Sequence, residues 1–128
     1  MPVYYAPSND LDTTKHFSDF LNDELLVLLP EYASIMQLTE QSKGLLQPIV
    51  YDVFKPHSGK YQNHQLPLLG LSFGSEDINA PAITFVGGIH GIERIGSQVI
   101  LSYLHTLIHR AQWDSNFALL LNSIRFNF

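Results

Sequence analysis

The feature that most restricts the fold is the run Ala82-Ile83-Thr84-Phe85-Val86-Gly87-Gly88-Ile89-His90-Gly91-Ile92-Glu93-Arg94-Ile95-Gly96. A short apolar, β-rich stretch stops at two glycines, presents a histidine and, three residues later, a glutamate, and then passes into an amphipathic helix. That is the form of a metal site at a strand-to-helix switch. Gly87, Gly88 and Gly91 around a single imidazole describe a tight bend with little side-chain bulk, which exposes His90. Glu93 falls in or just before the first turn of the helix, where the positive end of the dipole keeps a carboxylate ionised and able to bind a cation.

Composition narrows the chemistry. The chain has no cysteine, so a disulfide framework, a thiolate metal site and a cysteine nucleophile are all excluded, and any metal must be held by His and carboxylates. A net charge of -5 with only 7 scattered Lys and Arg argues against a nucleic-acid partner. With 128 residues the chain buries roughly two thirds of its unfolded surface, enough for a core without cross-links. The start, Met1-Pro2-Val3-Tyr4-Tyr5, has neither a basic leader nor a long apolar segment, and Leu25 to Leu29 is too short to span a bilayer. A cytoplasmic protein without a membrane partner is expected.

Taken in order, residues 1–11 read as an extended arm. From about Asp12 the spacing of Phe17, Phe20, Leu21, Leu25 and Leu28 predicts a helix, with Asp12 or Thr13 placed to cap it. Pro30 ends or restarts that helix. A second piece carries Tyr32, Ile35 and Met36 on one side and stops at Ser42-Lys43-Gly44. Ile49 to Phe54 and Leu66 to Phe73 predict a hairpin, with a long polar loop from Lys55 to Gln65. His57 and His64 in that loop read as solvated. The acidic turn from Gly74 to Pro81 delivers the chain into a strand over 82–87, and a helix then runs to about Arg110. Its apolar face is Ile95, Val99, Ile100, Tyr103, Leu104, Leu107 and Ile108. His105 and His109 have the i, i+4 spacing of metal ligands but lie on its polar face, which reads as solvated. Trp113-Asp114-Ser115 caps a short helix to about Asn122, and Ser123 to Phe128 alternates as a strand. The sum is one α/β domain over 1–128, a helical segment over 12–42 followed by an α/β part over 45–128, with a mixed β-sheet flanked by helices. The link from the 82–87 strand to the last one is long enough for a parallel crossover, which places His90 at a strand's carboxyl end, where such sheets bind ligands.

Two chemistries are absent from the 82–96 run. Neither phosphate-loop spacing, G-x-G-x-x-G or G-x-x-x-x-G-K-[ST], is present, and there is no G-x-S-x-G elbow to place Ser97 as a nucleophile. On the residues alone two readings stand. In one, a glycine-rich turn joins strand to helix and Glu93 is an ordinary helix-start acid. In the other, His90 and Glu93 bind a metal.

The run Phe85 to Gly96 followed by an apolar helix resembles the first metal-binding motif of the zinc carboxypeptidases and of their amidohydrolase relatives, the aspartoacylases and succinylglutamate desuccinylases. The likeness extends over about residues 45–128, taking in Leu68 to Gly74 and Ile124 to Phe128 as strands. The resemblance implies zinc as cofactor, with His90 and Glu93 as two of its ligands, and hydrolysis of a C-terminal peptide or related small amide bond. It also implies a third histidine ligand, a substrate-binding arginine and a general-base glutamate farther along than Phe128. The chain is thus expected to correspond to the first half of that catalytic domain, truncated relative to the family, with no catalytic side chain of its own beyond the metal ligands. The alternative is a metal-binding fragment without turnover, or a relative of the amidohydrolases. Strands that the family pairs with later strands would be left as edges, so self-association through an exposed sheet edge is expected. Arg94 either helps to bind an anionic substrate or pairs with a neighbouring acid, and the surface ion pair is the favoured reading.

Overall fold

The computed structural model describes residues 16–89 and 94–128. Asp12 and Thr13, expected to cap the first helix, lie outside the described residues. The stretch from Phe17 to Leu28 is not one helix. A 3-10 turn over Phe17–Phe20 is followed by a break and then by α1, Asp23–Leu28. The break is made at Asn22, whose extended backbone (φ -136°, ψ 170°) lets its side-chain oxygen accept from the Leu25 N–H at 2.8 Å. Short polar side chains compete with helix in this way and favour caps. Pro30 then starts α2, Pro30–Gln41, from a first-turn position where its missing N–H is not needed. Ser42 closes α2: its hydroxyl donates to the Thr39 carbonyl at 2.8 Å and accepts from the Leu46 N–H at 3.0 Å. Lys43 (φ 52°) and Gly44 (φ 92°) turn the chain into the sheet.

β1 (Leu46–Phe54) and β2 (Leu66–Gly74) form the expected antiparallel hairpin, in the register Leu46↔Phe73, Ile49↔Gly70 and Phe54↔Leu66 with a bulge at Tyr51. Pro48 is tolerated because β1 is an edge strand, so no ladder donor is missed. The alternation sends Leu46, Leu71 and Phe73 to the core and leaves Ile49, Tyr51 and Leu68 exposed on the other face. β3 is Ala82–Thr84, shorter than the 82–87 expected, because the chain leaves the ladder before the glycines. α3 (Ile95–Trp113) and α4 (Ser115–Leu120) carry it back to β4, Arg125–Asn127. The sheet is mixed, in the order β1-β2-β4-β3, with β4 antiparallel to β2 and parallel to β3. The fold is α/β, as the pattern of elements required.

The core lies between one sheet face and the helices. Leu38 of α2, Leu104, Leu107 and Ile108 of α3, and Phe117 of α4 pack with Leu46, Leu71, Phe73, Leu121 and Phe126. Tyr32 of α2 ties this layer to the hairpin by donating its hydroxyl to the Pro67 carbonyl at 2.9 Å, and burial together with the Glu31 charge pushes its pKa up to about 12. The apolar stripe of α3 is narrower than expected. Ile95 and Val99 are 71% and 61% exposed, because the packed face is centred on Leu104, Leu107 and Ile108 with Leu101 beside them. α3 also runs three residues past Arg110 to Trp113. No helix among the described residues is long and apolar enough to cross a membrane.

Candidate metal centre

β3 and β4 run in the same direction and end together, with Thr84 paired to Asn127 and the Phe85 N–H donating to the Asn127 carbonyl at 2.8 Å. Just past those ends the Phe85 and Phe128 rings stack at 5.4 Å, and Tyr103 of α3 meets both edge-on, at 5.4 and 6.4 Å. This aromatic bracket fixes both strand ends against the middle of α3. Above it the chain doubles back over the helix start. A Cβ on Gly87 would come within 2.6 Å of Ile100 Cδ1 and 3.0 Å of the Gly96 carbonyl oxygen. At Gly88, where φ is +71°, a Cβ would sit 2.7 Å from Ser97 Oγ. Both positions therefore need glycine, Gly87 for close approach and Gly88 also for its left-handed backbone.

The other end of the turn is held by Arg94. Its Nε and Nη2 donate to the two carboxylate oxygens of Glu31 on α2, at 2.7 and 2.6 Å. The Arg94 hydrogen bonds hold the Glu31 carboxyl below its usual value, against a smaller opposing push from burial, and the Arg94 pKa is raised in turn. The expected surface ion pair is thus present, and the guanidinium is committed to an acid of this same chain.

His90 and Glu93 lie outside the described residues, in the four-residue span between Ile89 and Arg94. What the structure fixes is the frame on either side: the strand end and glycines before, the anchored helix start after. The frame fits a metal ligand loop in two respects. It stands at the carboxyl end of a parallel strand pair, and Val86 to Ile89 and Arg94 are all exposed, so a cation and a substrate could approach. The donors the span offers, one imidazole and one carboxylate, suit zinc. An open hollow of about 880 Å³ adjoins the turn, lined by Thr84 to Gly87 and Asn127 and reaching across the outer sheet face to Tyr51 and Leu68.

The remaining histidines divide into exposed and buried. His57, His105 and His109 are exposed, as expected. His64 is not solvated: it is 6% exposed, with Nε2 3.7 Å from a Glu24 carboxylate oxygen and Nδ1 without a partner among the described residues. The polar loop folds its last residues beneath α1, which a loop composition could not announce. Among the described residues no three His, Asp or Glu side chains converge. Two parts of the frame, the Phe85–Tyr103–Phe128 bracket and the Glu31 partner of Arg94, had no local signal in the sequence.

The family model for zinc carboxypeptidases matches residues 57–128, more than half of the chain. The chain belongs to the zinc carboxypeptidase family. The matched segment begins in the hairpin loop and takes in β2, β3, the glycine turn with His90 and Glu93, α3, α4 and β4. The helices α1 and α2 and the strand β1 precede it. Zinc is the metal this family implies, in agreement with the donors in the turn. No individually curated protein matches the sequence.

Proposed function

We propose that His90 and Glu93 are two protein ligands of a zinc ion, and that this zinc carboxypeptidase frame serves metal-assisted hydrolysis of a C-terminal peptide bond or a related amide. The observation that supports this most directly is the frame itself. A parallel strand end, a turn that admits only glycine and an anchored helix start bracket a histidine and a glutamate within a family match.

A zinc ion held by His90 and Glu93 would supply Lewis acidity for the scissile carbonyl and for a water nucleophile. The chain's own residues have simpler tasks. His90 supplies a nitrogen donor. Glu93 supplies a carboxylate oxygen, two positions ahead of Ile95, the first residue of α3. Gly87 and Gly88 keep the turn low against α3, and the aromatic bracket keeps the strand ends from shifting under it. The hollow beside the turn gives an extended peptide or small amide a place to lie. Arg94, engaged by Glu31, holds the helix start and is not the anion receptor.

Catalytic zinc usually takes three protein ligands and a water, and His90 and Glu93 make two. That favours, as a second reading, metal binding without turnover. Zinc content and affinity of the native chain, His90→Ala and Glu93→Ala, combined with an assay on blocked dipeptides bearing a free carboxylate, separate the cases. Equal zinc binding in all three proteins sinks the ligand assignment. Zinc lost in both variants, with chelator-sensitive hydrolysis by the native chain, supports the hydrolase. Zinc lost in both variants with no hydrolysis supports the second reading.

Self-association is proposed through the sheet margins. β1 and β3 end the sheet among the described residues, and Ile49, Tyr51 and Leu68 are exposed on the adjoining face. Sedimentation velocity showing only monomer at working concentration counts against it. A cytoplasmic location is proposed as well, and cell fractionation tests it.

A further inference from the structure

We propose that His105 and His109 form a second, independent metal site, a two-imidazole chelate on the exposed face of α3 for a borderline divalent transition ion such as Ni2+, Cu2+ or Zn2+. The two residues sit four apart in the regular 19-residue helix Ile95–Trp113. That spacing stacks them on one face with Cβ atoms roughly 5–6 Å apart. Helical side chains lean toward the amino end, so the later imidazole reaches back over the earlier one. Both are exposed, and neither imidazole has a hydrogen bond or ion pair among the described residues. Their rotamers are therefore free to converge on one ion, and imidazole is the donor this group of metals prefers.

The surroundings support a cation here. His109 lies about one turn from the carboxyl end of α3, where the dipole favours positive charge, and His105 lies one turn before it. It borders a groove of about 350 Å³ between α2 and α3 that also holds Gln41, Lys43 and Gln112. Gln112 fixes one wall by donating to the Gln41 carbonyl at 2.9 Å. Arg110, the residue after His109, is paired with Asp114, so Lys43 is the opposing charge in the groove. His105 is about 16 Å along the helix axis from Arg94 at 1.5 Å per residue, which separates this site from the glycine turn.

The test is Ni2+ titration by calorimetry in a His90→Ala/Glu93→Ala background, with His105→Ala, His109→Ala and the double variant. One ion per chain is expected. Either single change should weaken binding on the order of a hundred-fold, because the second contact of a chelate is intramolecular, and the double variant should weaken it further. Affinity unchanged in the double variant overturns the proposal. On the native chain, Cu2+ electron paramagnetic resonance and Ni2+ broadening of histidine ring protons give a second measure that needs no substitution. Broadening of both His105 and His109 at low ion ratio is expected, and broadening of only one, or of neither, overturns it.

Discussion

Gly88 shows how a single residue without a side chain can govern the candidate centre. Its backbone is left-handed, and a Cβ there would meet Ser97 Oγ at 2.7 Å. Gly88→Ala should lower unfolding free energy by about 1–2 kcal/mol, the usual penalty for a side chain in that conformation, as measured by urea denaturation. Gly87→Ala should be worse for the site, because the atoms it meets include the backbone of Gly96, which cannot swing aside as a hydroxyl can. Zinc affinity should fall in both. Arg94 and Glu31 give a residue-scale pH dependence. The folded-state pKa of Glu31 is below its ordinary value of 4.5, so the pair's contribution is complete above that value and is lost as pH falls through the lower, folded one. Arg94→Ala should therefore be less stable than the native chain at neutral pH and low salt. The difference should vanish in acid and shrink in high salt, since the guanidinium is half exposed.

At the scale of elements, caps decide where helices are. α1 has six residues, too few to persist on propensity, and its first turn depends on Asn22. Asn22→Ala should cost about 1 kcal/mol, read as a lowered denaturation midpoint at unchanged slope. Asp114 does two tasks for α4: one carboxylate oxygen accepts from the Phe117 N–H at 3.1 Å and the other from Arg110 Nε at 3.0 Å. These bonds, the Phe117 N–H first, hold its pKa below the ordinary carboxylate value. Asp114→Asn keeps an acceptor for the cap and loses only the charge, so it should be milder than Asp114→Ala in thermal unfolding. Both caps are short polar residues ahead of apolar runs. Asp114 was legible because Asp114 and Ser115 interrupt the apolar pattern between two helices, whereas Asn22 lay inside an apolar spacing that reads as continuous helix.

For the whole molecule, one layer of helices on one sheet face supplies the core. Phe73 lies at its centre with no exposed surface, and Phe73→Ala should destabilise by about 3–5 kcal/mol in chemical denaturation. The opposite face carries exposed Ile49, Tyr51 and Leu68, and Leu68→Lys should reduce self-association in sedimentation without lowering the unfolding midpoint. The two substitutions separate what holds the chain together from what would bring chains together.

Apart from the first helical stretch, which is a 3-10 turn and α1, the elements and their order were legible in the amino-acid sequence, because hydrophobic periodicity and turn residues are local. The spacing of α2 and α3, the apolar runs of β1 and β2, the alternation of β4, and the glycine turn at 87–88 could all be read from neighbours a few residues apart. Sequence also set the candidate donors, His90 and Glu93, and excluded thiolates. Folding settled whatever depends on residues distant along the chain. Glu31 meets Arg94 across 63 residues, and Phe85 stacks on Phe128 because β3 and β4 lie side by side. His64 is buried because its loop folds under α1, and Ile95 and Val99 are exposed because α3 turns a neighbouring row of side chains inward. Periodicity states that a helix has an apolar face; which rows of that face find partners is settled by packing alone.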